Sequence, residues 1–284
     1  MRFRFIEAEK AFYPIAALCR NLQVQRSGFY AWRKRAPSPR AVANGAALVH
    51  IRTIFRQHRQ YYGSRRVEGA LREEGIRLGR HRVARLMRSD GLRARTRKRF
   101  RVTTDSGHRL PVAENVLARR FDWKRPNRAW LADITYLWTA EGWAYLSCLL
   151  DLYSRRVIGW CVSEALDGRA SRRLLEQAIV IRRPRPGLIH HSDRGRQYAG
   201  EDYQRVLQRH GITCSMSRKR NCWDNAPMES FFATLKLEIG DNRWPTRSAA
   251  AHAIAKYITY YNTQRIHSTL DYLTPVQYEM KRAA

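Results

Sequence analysis

Apolar residues in the first part of the chain recur at helical spacing. The pattern predicts a short helix over residues 14–22 and a second over 27–35, with Ser27 as the N-cap of the second. Two helices joined by a polar turn, the second of them basic, are typical of a helix-turn-helix. We therefore predict a helix-turn-helix-like segment over 1–36 and, from its two prolines and one glycine, a linker over 36–45.

A second helical module is predicted over residues 46–92. Its apolar positions indicate helices at 48–55, 65–74 and 80–89, and a glycine follows each of the last two. The last two helices again outline a helix-turn-helix. A plain three-helix unit with a solvated basic face is the alternative, and the density of positive charge favours DNA contact.

Beyond Phe121 the hydrophobic pattern changes from helical spacing to that of strands. Three antiparallel strands are expected first, joined by tight turns, and helices and short strands then alternate. The predicted strands are 130–139, 143–152, 155–162, 188–191 and 212–215. The predicted helices are 169–181, 201–210 and two more that begin near Asn225 and Ser248. This order predicts an α/β fold: a ribonuclease-H-like core over 121–284 with a mixed five-stranded sheet, preceded by small all-α modules.

Charge indicates what the helical modules bind. The 284 residues contain 54 Lys and Arg against 24 Asp and Glu, a formal charge of +30. Residues 1–120 hold 29 basic and 8 acidic residues, whereas 121–284 hold 25 and 16. Such an excess implies a polyanionic partner. Six of the nine residues in 93–101 are basic, so we predict a phosphate-tracking linker over 93–120, with a merely solvated charge run as the alternative.

Several other classes of protein are disfavoured. The longest apolar run, 143–150, is too short to span a membrane, and charged residues interrupt the opening segment before a signal peptide can form. Five cysteines without Cys-x-x-Cys spacing argue against a disulfide framework and a zinc knuckle, and the adjacent His190 and His191 lack the spacing of a two-His zinc half-site. We expect an intracellular, cytoplasmic protein with reduced thiols.

Three carboxylates are the candidate catalytic residues. Asp133 interrupts a strand that would otherwise be buried, where an unpaired carboxylate needs a metal or a cation. Asp193 follows the short fourth strand, and Glu229 belongs to a helix with Pro227 in its first turn. Lys236 shares a helix face with Glu229, about 10 Å away, where it could grip a phosphate. Carboxylate oxygens suit Mg²⁺, and two such ions can promote in-line displacement at a phosphodiester.

The joint pattern resembles a known family. Between Asp193 and Glu229 lie 35 residues, the Asp-Asp-35-Glu spacing of retroviral integrases and insertion-sequence transposases. The matching words are Arg26-Ser-Gly-Phe-Tyr-Ala-Trp32, Tyr62-Gly-Ser-Arg-Arg66, Ala132-Asp-Ile-Thr-Tyr136, His191-Ser-Asp-Arg-Gly195, Asn221-Cys-Trp-Asp-Asn-Ala226, Glu229-Ser-Phe-Phe-Ala-Thr-Leu-Lys236 and Tyr261-Asn-Thr-Gln-Arg-Ile-His267. They span nearly the whole chain, which resembles the OrfB transposase of two-frame insertion sequences of the IS-three class.

The resemblance implies a DDE-type transposase. Asp133, Asp193 and Glu229 would hold Mg²⁺, for which Mn²⁺ could substitute, with no nucleotide cofactor. The enzyme would cleave double-stranded DNA at the ends of its element, and the freed 3′-hydroxyl would attack target DNA. A homo-oligomer on nucleoid DNA and a fusion or partnership with an upstream-frame protein are also implied. The candidate DNA-contact residues are Lys236, Arg33, Lys34, Arg35, Arg82, Arg85, Arg95, Arg97, Lys98 and Arg99.

Some alternatives stay open at this point. A non-transposing nuclease of the same fold would use the same carboxylates, and a catalytically decayed regulator would keep only DNA affinity. Asp151 is a fourth carboxylate candidate, although a turn residue at a strand end is favoured. His267 would either contact DNA or pin the last helix to the core. Core packing is expected for most of Trp123, Trp130, Trp138, Trp143 and Trp160, with stacking on splayed bases as the alternative.

Overall fold

The computed structural model describes residues 1–95, 110–166, 168–219, 221–240 and 244–283. The chain divides into two compact units, Met1–Thr53 and Ile54–Ala284. Within the described ranges, no helix is both long and apolar enough to cross a membrane. The division predicted from sequence, with boundaries at 36, 46, 92 and 120, stays a prediction.

The first unit is helical. Its elements are α1 (Arg2–Glu9), α2 (Ile15–Asn21), α3 (Arg26–Lys34) and the first part of α4 (Pro39–Gln57). Ile6, Leu18 and Phe29 form its core, against which Phe3 and Trp32 pack. The predicted pair α2 and α3 is therefore confirmed, whereas α1 was not predicted from the sequence.

Two local predictions in this unit are wrong. Ser27 lies inside α3, which begins one residue earlier, so it is not the N-cap. The predicted linker is largely helix, because α4 begins at Pro39. Proline lacks an N–H that the first helical position does not need, and the Ser38 hydroxyl accepts a hydrogen bond from the Ala41 N–H at 3.2 Å. Proline here starts a helix instead of breaking one.

The second unit opens with the end of α4 and two further helices. These are α5 (Ser64–Glu73) and α6 (Arg80–Ser89). Val67, Leu71 and Val83 are fully buried, and Gly75 and Gly91 follow the two helices with φ of +79° and +71°. Positive φ is the conformation that glycine adopts without strain, so both helices end where the sequence predicts.

A five-stranded mixed sheet forms the centre of this unit. Its strands are β1 (Ala129–Thr139), β2 (Gly142–Asp151), β3 (Val157–Ser163), β4 (Ile189–Ser192) and β5 (Thr213–Met216). They lie in the order β3-β2-β1-β4-β5. The first three strands are antiparallel, and β4 runs parallel to both β1 and β5. The predicted antiparallel meander is confirmed, and the order is that of a ribonuclease-H-like core.

Helices cover both faces of the sheet. They are α7 (Gly168–Arg182), α8 (Arg196–Ala199), α9 (Glu201–Arg209), α10 (Ala226–Ile239), α11 (Arg247–Thr263) and α12 (Pro275–Ala283). One face packs on α7 and α9 through residues such as Trp130 and Leu175. The opposite face packs on α10 and α11 through Leu131, Met228 and Tyr257. The short α8 and the terminal α12 were not predicted.

The α5–α6 module packs against the C-terminal part of the same unit. The Ile266 N–H donates to the Tyr62 hydroxyl at 2.9 Å, and His58 Nδ1 lies 2.9 Å from the Tyr260 hydroxyl. Gly69 in α5 lies against Ile266 and Tyr272, where a Cβ would be only 3.1–3.2 Å from their side chains. The absence of a side chain at this position therefore permits the close approach of α5.

Candidate active site

Asp133 lies on β1 with its side chain on the sheet face that α10 covers. Its strand neighbours on that face, Leu131 and Leu137, are buried in the same cluster as Met228 of α10. Asp133 is half-buried, and one of its carboxylate oxygens accepts a hydrogen bond from the Ile134 N–H at 2.8 Å. The sequence interpretation of an acidic residue within a buried strand is confirmed.

Asp193 follows the last residue of β4. In the parallel register of β1 and β4, Leu131 is opposite His191. Two residues further along each chain are Asp133, in the middle of the central strand β1, and Asp193, just past the end of β4. The two carboxylates therefore lie side by side where β4 ends, on neighbouring strands that are about 4.8 Å apart. The Asp193 carboxylate accepts the Gly195 N–H at 2.9 Å, which fixes the turn that leaves the strand.

Glu229 comes from the first turn of α10, and its side chain is exposed. Met228, Phe232 and Leu235 of the same helix are buried against the sheet, so α10 is held over the face that carries Asp133. Lys236 lies two helical turns beyond Glu229 and is half-buried. Two neighbouring strands and one helix of the same unit therefore carry the three candidate carboxylates.

The charges of these residues act on one another. The pKa of Asp133 is well above its ordinary value, first because of burial and then because of the negative charges of Asp193 and Glu229. Lys236 opposes this shift by lowering the pKa of Asp133. Burial in turn lowers the pKa of Lys236, against the pull of Asp133. The structure thus brings the three carboxylates and the lysine into one electrostatic cluster.

The donor chemistry of the cluster fits a divalent cation. Three carboxylates supply hard oxygen ligands, and their mutual repulsion is the condition that a metal ion relieves. Across the described residues, no group of three His, Cys, Asp or Glu side chains is already arranged to hold a metal ion. A cation held by all three carboxylates would therefore have to bring them closer together.

Two buried histidines support the strand that leads to Asp193. His190 Nε2 lies 2.9 Å from the Tyr203 hydroxyl, and His191 lies 2.8 Å from the Ser215 hydroxyl on β5. Burial lowers the pKa of His190 to about 3 and that of His191 to about 4. Both imidazoles are therefore neutral at physiological pH, and each has a hydroxyl partner within the core.

Sequence reasoning missed a buried carboxylate beside the site. Asp224 is fully buried in the 3₁₀ turn Cys222–Asn225 that leads into α10. Arg119 Nε and Arg218 Nη2 each donate to Asp224 Oδ1 at 2.8 Å, and Asn115 Nδ2 donates to Oδ2 at 2.9 Å. These hydrogen bonds, that of Arg218 foremost, hold the pKa of Asp224 well below its usual range. Arg218 is six residues away, but Asn115 and Arg119 are more than 100 residues away and leave no local signal for this cluster.

The other candidate side chains have structural contacts. Asp151 is fully buried, with one oxygen 3.3 Å from Arg182 Nη2. It also accepts hydrogen bonds from the N–H groups of Asn127 and Tyr153, at 2.7 and 2.9 Å. The His267 ring packs edge-on against Tyr261, with the ring centroids 4.7 Å apart. Asp151 therefore holds the end of a strand, and the half-buried His267 packs against the core residue Tyr261.

The tryptophans divide into two groups. Trp130 is fully buried, and Trp123 and Trp160 are partly buried against the core, as the sequence predicts. Trp138 and Trp143 are about half exposed on the β1–β2 hairpin, where their rings pack edge-on with centroids 4.9 Å apart. The core prediction is therefore right for three of the five.

The candidate DNA-contact residues lie mainly at the surface. Arg33, Lys34 and Arg35 are exposed at the end of α3, Arg85 is exposed on α6, and Arg82 is half-buried. The exposed Arg95 lies over the Tyr61 ring, 5.7 Å from its centroid. Arg97, Lys98 and Arg99 lie outside the described residues. From residue 110 onwards the predicted linker packs on the core, where Leu117 is fully buried.

Comparisons with known proteins agree with this architecture. An integrase core domain model matches residues 124–222, a second integrase core domain model matches 210–275, and an HTH-like domain model matches 43–100. The transposase InsF for insertion sequence IS3A of Escherichia coli (strain K12) is 39% identical over 288 residues, covering 100% of both chains. The chain belongs to the IS3 family of transposases.

Other relatives of this IS3-family transposase include the insertion element IS600 uncharacterized 31 kDa protein of Shigella sonnei. It is 41% identical over 266 residues, which cover 93% of this chain and 98% of that protein. Among solved structures, the simian T-cell lymphotropic virus intasome in complex with PP2A regulatory subunit B56 gamma aligns with a TM-score of 0.48 and 18% identity. The alignment covers 75% of this chain and 70% of that chain. The HTH-like match includes α5 and α6, and the integrase core matches together include Asp133, Asp193 and Glu229.

Proposed function

We propose that this IS3-family transposase cleaves DNA at the ends of its insertion sequence and joins the freed 3′ ends to target DNA, with Asp133, Asp193 and Glu229 as catalytic metal ligands. The observation that carries the proposal is the electrostatic cluster, in which both of the other carboxylates act on the half-buried Asp133. Carboxylates that repel one another at a sheet edge are a costly arrangement unless a cation binds between them.

The three proposed metal ligands come from two strands and one helix. Asp133 and Asp193 are presented by neighbouring strands whose register is fixed by backbone hydrogen bonds. Glu229 extends from the first turn of α10 and is exposed, and it would complete the ligand set from the helix side. Bound Mg²⁺, or Mn²⁺ in its place, supplies activation of the attacking oxygen and stabilisation of the departing oxygen. No nucleotide cofactor is needed for this exchange of phosphodiester bonds.

Positive charge beyond the carboxylates holds the DNA. Lys236 is in the same cluster as Asp133 and, two helical turns from Glu229, is placed to contact a phosphate of the strand that is cut. The exposed Arg33, Lys34, Arg35 and Arg85 add positive charge to the surfaces of the helical modules. The formal charge of +30 supports double-stranded DNA as the partner. We propose a homo-oligomer on that DNA, with an upstream-frame protein as fusion or partner.

The test is strand transfer with three single variants. Asp133→Asn, Asp193→Asn and Glu229→Gln should each fold normally, bind DNA that carries the element ends, and form no joined product in Mg²⁺. Glu201→Gln, at an exposed acidic residue of α9, serves as the matched control and should keep full activity. Strand transfer by any of the three folded variants removes that residue from the proposed ligand set.

The products also separate the proposal from its alternatives. A non-transposing nuclease would yield hydrolysed ends without joined strands, and a decayed regulator would bind the DNA without cutting it. Joined strands with Mg²⁺ and none without it support the transposase. The assay should follow labelled element ends, since hydrolysed and joined products differ in length.

A further inference from the structure

Trp223 lies in an unusual position beside the proposed catalytic residues. Its side chain is 68% exposed, although it is only six residues before Glu229 in the turn that leads into α10. The 3₁₀ turn and the first turn of α10 together separate the two residues by about 10 Å along the chain axis. An indole buries a large area when a ligand covers it, and tryptophan is enriched at binding surfaces for that reason.

The support beneath Trp223 is held in place. The next residue, Asp224, is fully buried and accepts hydrogen bonds from Arg119, Arg218 and Asn115. Arg119 Nη2 also donates to the Asn221 side chain at 2.9 Å, on the other side of Trp223. Contacts on both sides fix the backbone that carries the indole. An aromatic ring on a fixed support binds a ligand with little loss of conformational entropy.

The same contacts give the surface around Trp223 a positive charge. The side chains of Arg119 and Arg218 are 44% and 55% exposed, and both guanidinium groups pair with the single carboxylate of Asp224. Two guanidinium groups against one carboxylate leave a net charge of +1. We call these four residues, Arg119, Arg218, Trp223 and Asp224, the Trp223 platform. An aromatic face with adjacent cations is the chemistry that recognises a nucleotide.

The platform is continuous with the catalytic cluster. Arg194, which follows Asp193, donates from Nε to the Ser217 carbonyl at 2.7 Å, and the Ser217 N–H donates to the Ser192 carbonyl at 2.9 Å. The chain that enters the platform at Arg218 is therefore bonded to both neighbours of Asp193. The chain that leaves it begins α10 and reaches Glu229.

We propose that Trp223 stacks on one unpaired nucleobase of the DNA strand next to the phosphodiester that is cut, while Arg119 and Arg218 hold its phosphates. This deepens the proposed function, because it assigns a substrate feature to the same site. A base within a duplex is stacked on both sides, whereas an unpaired base leaves a face open to an indole. The platform therefore selects DNA that is frayed or single-stranded beside the cut.

The test measures binding without catalysis, in the absence of divalent metal, so that it does not depend on the three carboxylates. The probes are a blunt duplex and the same duplex with a short single-stranded extension that carries 2-aminopurine, a base whose fluorescence is quenched by stacking. The full-length protein should bind the extended probe more tightly and quench it. Trp223→Ala should lose about tenfold in affinity for the extended probe, keep its affinity for the blunt one, and leave 2-aminopurine unquenched.

Two controls define the result. Trp223→Phe keeps an aromatic face and should retain most of the quenching, whereas Trp138→Ala removes another half-exposed tryptophan and should leave binding unchanged. Equal affinity of the wild type for both probes overturns the proposal, as does an equal loss on both in Trp223→Ala. A change of oligomeric state in Trp223→Ala with unchanged probe preference also overturns it, since Trp223 would then contact a second copy. Inactive triad variants that keep the quenching separate this result from the catalytic assignment.

Discussion

Glu238 and Arg265 form a buried ion pair that ties the end of α10 to the chain beyond α11. Arg265 Nη2 lies 2.8 Å from Glu238 Oε1, and Arg265 Nε lies 2.9 Å from the same oxygen. The Tyr257 hydroxyl donates to Glu238 Oε2 at 3.2 Å. The two side chains are 2% and 4% exposed, so neither charge has water to replace its partner. The pair therefore anchors the helix that carries Glu229 and Lys236.

Breaking this pair should destabilise the protein. In Glu238→Gln the Arg265 guanidinium would stay buried without a counter-charge, and loss of one partner of a buried pair costs about 3–5 kcal/mol. The free energy of unfolding should be measured by urea denaturation. Asp122→Asn is the matched control, because its pair with Lys124 is 83% and 77% exposed and contributes less than about 1 kcal/mol. Equal effects of the two variants would contradict the prediction.

Asp133→Asn should stabilise the metal-free protein. Burial and the charges of Asp193 and Glu229 raise the pKa of Asp133, so its charged form is unfavourable in the folded state at neutral pH. A neutral amide of the same shape removes this penalty, and we expect a gain of about 1 kcal/mol, or roughly 2–4 °C in Tm.

Magnesium should make the Tm of the wild type higher than that of Asp133→Asn, the reverse of their order without metal. A ligand that binds only the folded state raises Tm by mass action, so Mg²⁺ should raise the Tm of the wild type and leave that of Asp133→Asn nearly unchanged. Thermal scans with and without Mg²⁺ measure both effects. A lower Tm for the variant in the absence of metal would show that Asp133 stabilises the fold.

The buried histidines make stability dependent on pH. Burial lowers the pKa of His190 from 6.5 to about 3, so below pH 6.5 the unfolded chain binds a proton that the folded protein does not. Stability is therefore lost as the pH falls from 6.5 towards 3. Each such histidine contributes about 1.4 kcal/mol per pH unit to the slope, and His191, with a pKa of about 4, acts in the same direction.

His190→Gln should reduce that slope between pH 6 and about 4 by one proton. Loss of the Tyr203 contact lowers the free energy of unfolding equally at every pH, whereas loss of the titrating group changes its dependence on pH. The pH dependence therefore reports the histidine alone. It is measured by denaturant titrations at several pH values between about 4 and 6. An unchanged slope would mean that His190 is protonated in the folded protein.

Two glycines in helices should respond in opposite ways to alanine. At Gly45 in α4 no atom lies within 4 Å of the position that a Cβ would occupy, so Gly45→Ala should stabilise the helix by about 0.5–1 kcal/mol through propensity alone. At Gly69 the new methyl would lie 3.1 Å from the Tyr272 ring, and overpacking costs about 1–3 kcal/mol. Gly69→Ala should therefore be neutral to destabilising. Circular dichroism melts of both variants decide the signs.

The sequence predicts the parts of the fold that rest on periodic patterns. The alternation around Asp133 and the short apolar run before Asp193 place both residues on adjacent strands, and helical spacing places Glu229 and Lys236 on one face. Helix ends with a glycine, as at Gly75, are also predicted correctly. In contrast, the prolines around Pro39 indicate a break because proline disrupts a helix interior, whereas Pro39 occupies the first position of α4 after the capping Ser38.

Contacts between distant parts of the chain escape such reasoning. Two of the hydrogen-bond partners of Asp224, Asn115 and Arg119, are 109 and 105 residues away. The spacing of hydrophobic residues in the sequence gives no information about such distant pairs. It therefore predicts neither the hydrogen bonds around Asp224 nor the exposed position of the adjacent Trp223. The same applies to Glu238, whose partner Arg265 lies beyond the end of a different helix.

The close approach of α5 to the C-terminal part of its unit bears on the distance between the helical module and the carboxylates. His58, Tyr62 and Gly69 join the helical module directly to Tyr260 and Ile266, so the module is packed onto the unit that carries the carboxylates. Under the proposed function, a DNA segment bound by α6 would therefore reach the carboxylates at a constant separation. The number of base pairs between the recognised sequence and the cut would then be set by the fold of this unit.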